Sequence, residues 1–86
     1  MKLVVVSQNG CMPCLMVKNF LNGNDVEFTE FNIHTQDKIE VAGEEFTRED
    51  LSIMSTPVTI LFDEDEEIGR VAGKDLGDIQ VLIDQM

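Results

Sequence analysis

The chain has 86 residues, 43% of them hydrophobic, and a formal net charge of −11. That length suits one small domain, residues 1–86, with a modest core. The acidic balance excludes nucleic acid and anionic membrane as natural partners, because both repel a polyanion. No apolar run approaches the roughly 20 residues that cross a bilayer.

Residues 2–6 read as a buried strand, a β-branched apolar run that ends at Ser7-Gln8-Asn9-Gly10. Residues 12–22 read as a helix. Pro13 is tolerated in its first turn, Val17, Phe20 and Leu21 share a face, and Gly23 suits a left-handed cap. Val26 to Ile33 reads as a second strand whose alternation slips between Phe28 and Phe31. Residues 35–55 read as helical. Ile39, Val41 and Ala42 give the periodicity, and Thr47-Arg48-Glu49-Asp50 resembles a helix start that would turn Leu51, Ile53 and Met54 inward. Val58 to Phe62 is a clear strand. Asp63-Glu64-Asp65-Glu66 is a turn, and Ile68 to Ala72 returns as its partner. Asp75 can cap a last helix with Leu76, Ile79, Leu82, Ile83 and Met86 on its apolar side. The order is β-α-β-α-β-β-α, with the first two strands parallel because a helix crosses between them.

The only cysteines are Cys11 and Cys14, in Cys11-Met12-Pro13-Cys14. A strand that delivers a CxxC to a helix start is the layout of a thiol–disulfide site. The helix N-terminus offers free N–H groups and a positive dipole end, which stabilise a thiolate. Cys11, ahead of the helix, is the expected nucleophile, and Cys14, inside the first turn, the resolving thiol. Met12 and Pro13 set the backbone between them. So short a loop gains only about 2 kcal/mol of chain entropy, which fits a switch better than a staple. The alternative is half a metal site. Two further ligands would be needed, and the chain has no third cysteine and one histidine, His34, which reads as a solvated strand-end residue. No metal and no cofactor is expected, a module with thiolates shared between two chains being the metal-binding alternative.

All seventeen acids lie from Asp25 onward, and residues 1–24 carry only Lys2 and Lys18. Two readings stay open. In one the acids are simply a solvated surface; in the other the cysteine segment is kept clear of carboxylates that oppose a thiolate. The opening Met1-Lys2-Leu3-Val4-Val5-Val6 is too short for a signal peptide, so the cytoplasm is the expected compartment.

Three segments together resemble the thioredoxin fold in its short, glutaredoxin-like form. They are Val4-Val5-Val6 leading to Cys11-Met12-Pro13-Cys14, Met54-Ser55-Thr56-Pro57 before Val58-Thr59-Ile60-Leu61-Phe62, and Val71-Ala72-Gly73-Lys74-Asp75 opening the last helix. The resemblance implies an α/β domain with a four-stranded mixed sheet. It also implies a cis bond before Pro57, and an extended substrate held by Thr56 and Pro57 beside the cysteines, with Met12, Pro13, Gly73, Lys74 and Asp75 around it. The missing first strand and the segment from Ala72 to Ile79 are similar to glutaredoxins and NrdH-type redoxins. Cys-x-Pro-Cys and Ile53-Met54-Ser55-Thr56-Pro57 look more like thioredoxin. Glutaredoxins usually carry a basic residue where this chain has Gln8. Thioredoxins bury an acid where it has Val5. The resemblance implies a monomeric thiol–disulfide oxidoreductase acting on protein disulfides. A ribonucleotide reductase is the implied target and a flavin-dependent thioredoxin reductase the implied reductant. A glutathione-dependent glutaredoxin is the enzymatic alternative.

Overall fold

A computed structural model describes all 86 residues. The strongest apolar runs form its centre. β1 (Lys2–Ser7) and β5 (Val58–Asp63) pair antiparallel with Val6 opposite Val58. The helix α1 (Met12–Gly23) crosses from β1 to β2 (Thr29–Asn32), which joins β1 in parallel. β6 (Glu66–Ala72) returns antiparallel to β5, so the sheet runs β2-β1-β5-β6. The mixed four-stranded sheet expected from the sequence is present, and the chain closes with α2 (Leu76–Ile83).

The two central strands bury side chains on both faces, which is why they read as unbroken apolar runs rather than alternating ones. Leu3, Val5 and Leu61 face the helices and pack with Val17, Leu21, Ile79 and Leu82. Val4, Val6, Val58, Ile60 and Phe62 face the other way and pack with Phe31, Ile39, Val41, Leu51 and Ile53. Each such side chain contributes about 1.5–3 kcal/mol by leaving water.

The second face differs from the sequence reading. Residues 35–55 form no helix. β3 (Lys38–Val41) and β4 (Glu44–Thr47) make a separate two-stranded hairpin. Lys38-Ile39-Glu40-Val41 alternates with period two, so Ile39 and Val41 turn into the core while Lys38 and Glu40 stay in water. Thr47 and Asp50 do form the reciprocal hydrogen bonds expected of a helix start, at 2.9 and 3.1 Å. The turn they close stops at Ser52, whose φ is +56°. Leu51 and Ile53 pack inward, but Met54 is 92% exposed.

Smaller differences follow from local chemistry. Val26 and Phe28 precede β2 but still pack on the helix-side core, and Ile33 follows β2 and packs on the opposite face. The left-handed residue after α1 is Asp25, at φ +57°, rather than Gly23. Met86 lies beyond α2 and is half-exposed.

The hairpin turn is Ala42-Gly43, with φ of +52° and +85° between paired Val41 and Glu44. A two-residue turn with both central φ values positive favours Asn-Gly, because alanine resists the left-handed region. Ala42→Asn is expected to stabilise the fold by about 0.5–1 kcal/mol, raising the thermal midpoint by several degrees. An unchanged or lower midpoint in thermal unfolding would count against this turn.

Candidate active site

β1 runs straight into the site. After Ser7 the chain turns through Gln8-Asn9-Gly10, with Gly10 at φ +71°. The turn is tied to the end of β2. Asn32 donates to the Asn9 carboxamide at 3.0 Å, and the Asn9 N–H donates to His34 Nδ1 at 3.2 Å. His34 is thereby a strut under the loop as well as an exposed strand-end residue.

Cys11 is the N-cap of α1, and its Sγ accepts the Cys14 N–H at 3.2 Å. Helix N-termini leave such donors free, and an acceptor that gains negative charge strengthens the bond. The first turn contains Pro13 and no acidic residue. Cys11 and Cys14 are joined as a disulfide with Cα atoms 5.2 Å apart. Cys14 is buried at 1% exposure, whereas Cys11 is partly open to solvent.

The register of β1 on β5 sets what faces the disulfide. Thr56 and Pro57 precede β5, and the peptide between them is cis. The Thr56 hydroxyl donates to Cys11 Sγ at 3.7 Å. The Gly73 N–H donates to the Pro57 carbonyl at 2.8 Å, which fixes the turn after β6 beside this segment. Gly73 there has φ +88°. Lys74 is exposed in the same turn. Asp75 is occupied as the N-cap of α2, accepting the Asp78 N–H at 3.0 Å. Of the residues expected around a substrate, Thr56 therefore meets Cys11, Pro57 follows it across the cis bond, Gly73 is tied to Pro57 with Lys74 next in the chain, and the Asp75 carboxylate caps the helix.

Exposed apolar side chains flank these groups along the chain. Met12 is 67% exposed and Met54 92%. Leu15 and Met16, next to Cys14, are also exposed. Methionine adapts its shape to varied apolar partners. A cleft of about 770 Å³ lies at the far end of β1, lined by Met1, Leu3, Val26, Phe28 and Met86 among others, and includes no residue of the cysteine loop. No group of three or more His, Cys, Asp or Glu side chains is gathered that could hold a metal ion.

The sequence reading missed one charged cluster. Glu30 on β2 accepts hydrogen bonds from Lys18 Nζ at 2.8 Å and from the buried hydroxyl of Ser7. The Lys18 bond, helped by that from Ser7, holds the Glu30 carboxyl below its usual range. The acid-free opening of the chain thus does not leave its helix free of carboxylates, because the parallel partner strand brings one. Only the strand pairing reveals it.

The geometry fits a known lineage. The glutaredoxin family model matches residues 3–67. The chain belongs to the glutaredoxin family. It is 32% identical to the SPbeta prophage-derived thioredoxin-like protein YosR of Bacillus subtilis (strain 168), over all of this chain and 99% of that one. The crystal structure of the thioredoxin-like protein BC3987 superposes with a TM-score of 0.69 at 30% identity, over 94% of this chain and 99% of that one. Thioredoxin 1 from Thermosipho africanus TCF52B shares the fold at a TM-score of 0.69 and 14% identity, over 99% of this chain and 92% of its own. The thioredoxin fold is therefore present, in a redox family and with a CxxC disulfide.

The helix N-terminus and the Thr56 hydroxyl both point at Cys11 Sγ. In the reduced protein Cys11 is expected to ionise below the free-thiol value of about 8.5, and Cys14 above Cys11. Alkylation rates against pH for Cys14→Ser and Cys11→Ser check this. A faster reaction at neutral pH by the lone Cys14 would reverse the order.

Proposed function

We propose that this protein reduces disulfides of other proteins, with Cys11 as the nucleophile and Cys14 as the resolving thiol. The observation that carries this reading is the Thr56 hydroxyl on Cys11 Sγ, just ahead of the cis bond to Pro57, in a site flanked along the chain by exposed methionines. A protein disulfide seated there presents one sulfur to Cys11. The Cys11 thiolate attacks it and expels one substrate thiolate, leaving a mixed disulfide. Cys14 then loses its proton and attacks Cys11 Sγ, closing the internal disulfide and releasing the second substrate thiolate. Two electrons pass to the substrate, and its two thiolates take up two protons.

Thr56 and Pro57 would align the extended chain around the substrate disulfide, with Met12, Pro13, Gly73 and Lys74 about it. The methionines would supply adaptable apolar contact, which suits varied partners. Among targets, a ribonucleotide reductase is the one that the redoxin resemblance favours.

The reductant we propose is a flavin-dependent thioredoxin reductase rather than glutathione. Gln8 stands where glutaredoxins carry a cation for the glutathione carboxylates. The net charge of −11 also repels an anionic tripeptide, although screening confines that effect to acids within about 8 Å. Lys74, beside the Pro57 segment, is the exposed cation that favours the glutathione reading. Turnover of a protein disulfide with NADPH and thioredoxin reductase is expected to exceed turnover with glutathione and glutathione reductase by at least about tenfold, a difference of about 1.4 kcal/mol in barrier. Rapid turnover with glutathione and none through thioredoxin reductase would make the protein a glutathione-dependent enzyme.

A further inference from the structure

Lys18 and Glu30 belong to no step described so far, yet Lys18 shares α1 with the thiol that must give up its proton and holds Glu30 by an ion pair. Lys18 follows Cys14 by four residues on α1. Side chains at that spacing share a helix face with Cβ atoms about 5–6 Å apart. Helical side chains also lean towards the N-terminus, so the Lys18 stem runs back towards Cys14. Cys14 lies on the inner side of α1 with Val17 and Leu21, all buried. Val5 points to that same side of the sheet, and Ser7, two residues on, does so too. Phe31 points to the other side, which puts Glu30 on the helix side. Ser7, Glu30, Lys18 and Cys14 thus occupy one space between α1 and the β1–β2 pair.

We propose that Lys18 and Glu30 are a matched charge pair that sets the acidity of Cys14, with Glu30 as a positioning residue that cancels the pull of the Lys18 ammonium on the Cys14 thiolate. An unopposed ammonium within a turn would stabilise that thiolate, and an unopposed carboxylate would disfavour it. The balance matters because Cys14 has two duties. In the reduced protein it stays protonated while Cys11 ionises. In the mixed disulfide its proton passes to water, its thiolate attacks Cys11 Sγ, and the bond from Cys11 to the substrate sulfur breaks as the new one forms. Glu30 is suited to a fixed counter-charge, because its bonds to Lys18 and Ser7 hold it ionised. Val5 pairs with Thr59 beneath the helices, so the central strands bring no ionisable side chain of their own to this space.

The other charged and titratable groups at this end of the sheet are His34, bonded to the Asn9 N–H, and Lys74, Asp75 and Asp78 around the start of α2. On β1 the only charged residue is Lys2, at the opposite end of the strand. All of these are the same in the proteins compared below, so they drop out of the differences.

The inference rests on the thiol–disulfide reading of the site, but its test needs neither a reductase nor a substrate protein, so either can fail alone. In a Cys11→Ser background, iodoacetamide alkylation of Cys14 is followed against pH in the parent, Glu30→Gln, Lys18→Met and the double variant. Glu30→Gln is expected to lower the midpoint by about one pH unit, a tenfold rise in thiolate fraction on the acid side. Lys18→Met is expected to raise it by a similar amount, and the double variant to return close to the parent. Opposite signs are the signature. A merely structural pair would lower the thermal midpoint in both single variants and leave both titrations in place. Shifts of the same sign, a shift in one single variant only, or no shift in either would overturn the proposal.

Discussion

The antiparallel register of β1 on β5 is the constraint on which the rest of the site depends. Because Val6 lies opposite Val58, the chain leaving β1 and the chain entering β5 must emerge side by side. The first carries Cys11 and the second carries Thr56 and Pro57, 45 residues apart in sequence for the Thr56 contact. That register is held by a row of valines, leucines and isoleucines buried on both faces. A slip of one residue would exchange their faces, leaving Ser7 and Thr59 against the wrong layer. Catalytic geometry and core packing are therefore one requirement here.

The parallel pairing of β1 with β2 adds the second layer of control. Parallel neighbours need a crossover, and α1 is that crossover, so its N-terminus has to sit at the end of β1 where Cys11 is. The same pairing lays Glu30 beside the helix, within reach of Lys18. The Cys11 sulfur is thus met by the Cys14 N–H and the Thr56 hydroxyl, with the Lys18–Glu30 ion pair on the same side of the sheet.

Much of this was legible because the signals were local and strong. The apolar runs at Leu3–Val6 and Val58–Phe62, the CxxC after a strand, and Asp75 as a cap each point to one local structure. The region from 35 to 55 misleads because two of its signals conflict with its fate. Thr47 and Asp50 make a genuine capping pair, but the turn they close has too little helix-forming sequence behind it before Ser52 takes a positive φ. The alternation of Ile39 and Val41 was the better guide, and Ala42 concealed the hairpin because alanine is a poor marker of a left-handed turn. Met54 would turn inward only on a helix starting at Thr47, and without that helix it is 92% exposed. Glu30, Lys18, Asn9 and Asn32 carry no motif at all. Their meeting is set by strand register, which a single sequence does not print.

The central claim is that Cys11 attacks a partner's disulfide and Cys14 releases the product. Trapping tests it most directly. Reduced Cys14→Ser and Cys11→Ser proteins are each mixed with insulin as a disulfide substrate, and the adducts are weighed by intact-mass spectrometry before and after dithiothreitol. Cys14→Ser is expected to hold an insulin chain through Cys11 in a reductant-sensitive mixed disulfide, and Cys11→Ser to hold little or none. An adduct that forms through Cys14 alone, or none through Cys11, would contradict the assignment of the two thiols.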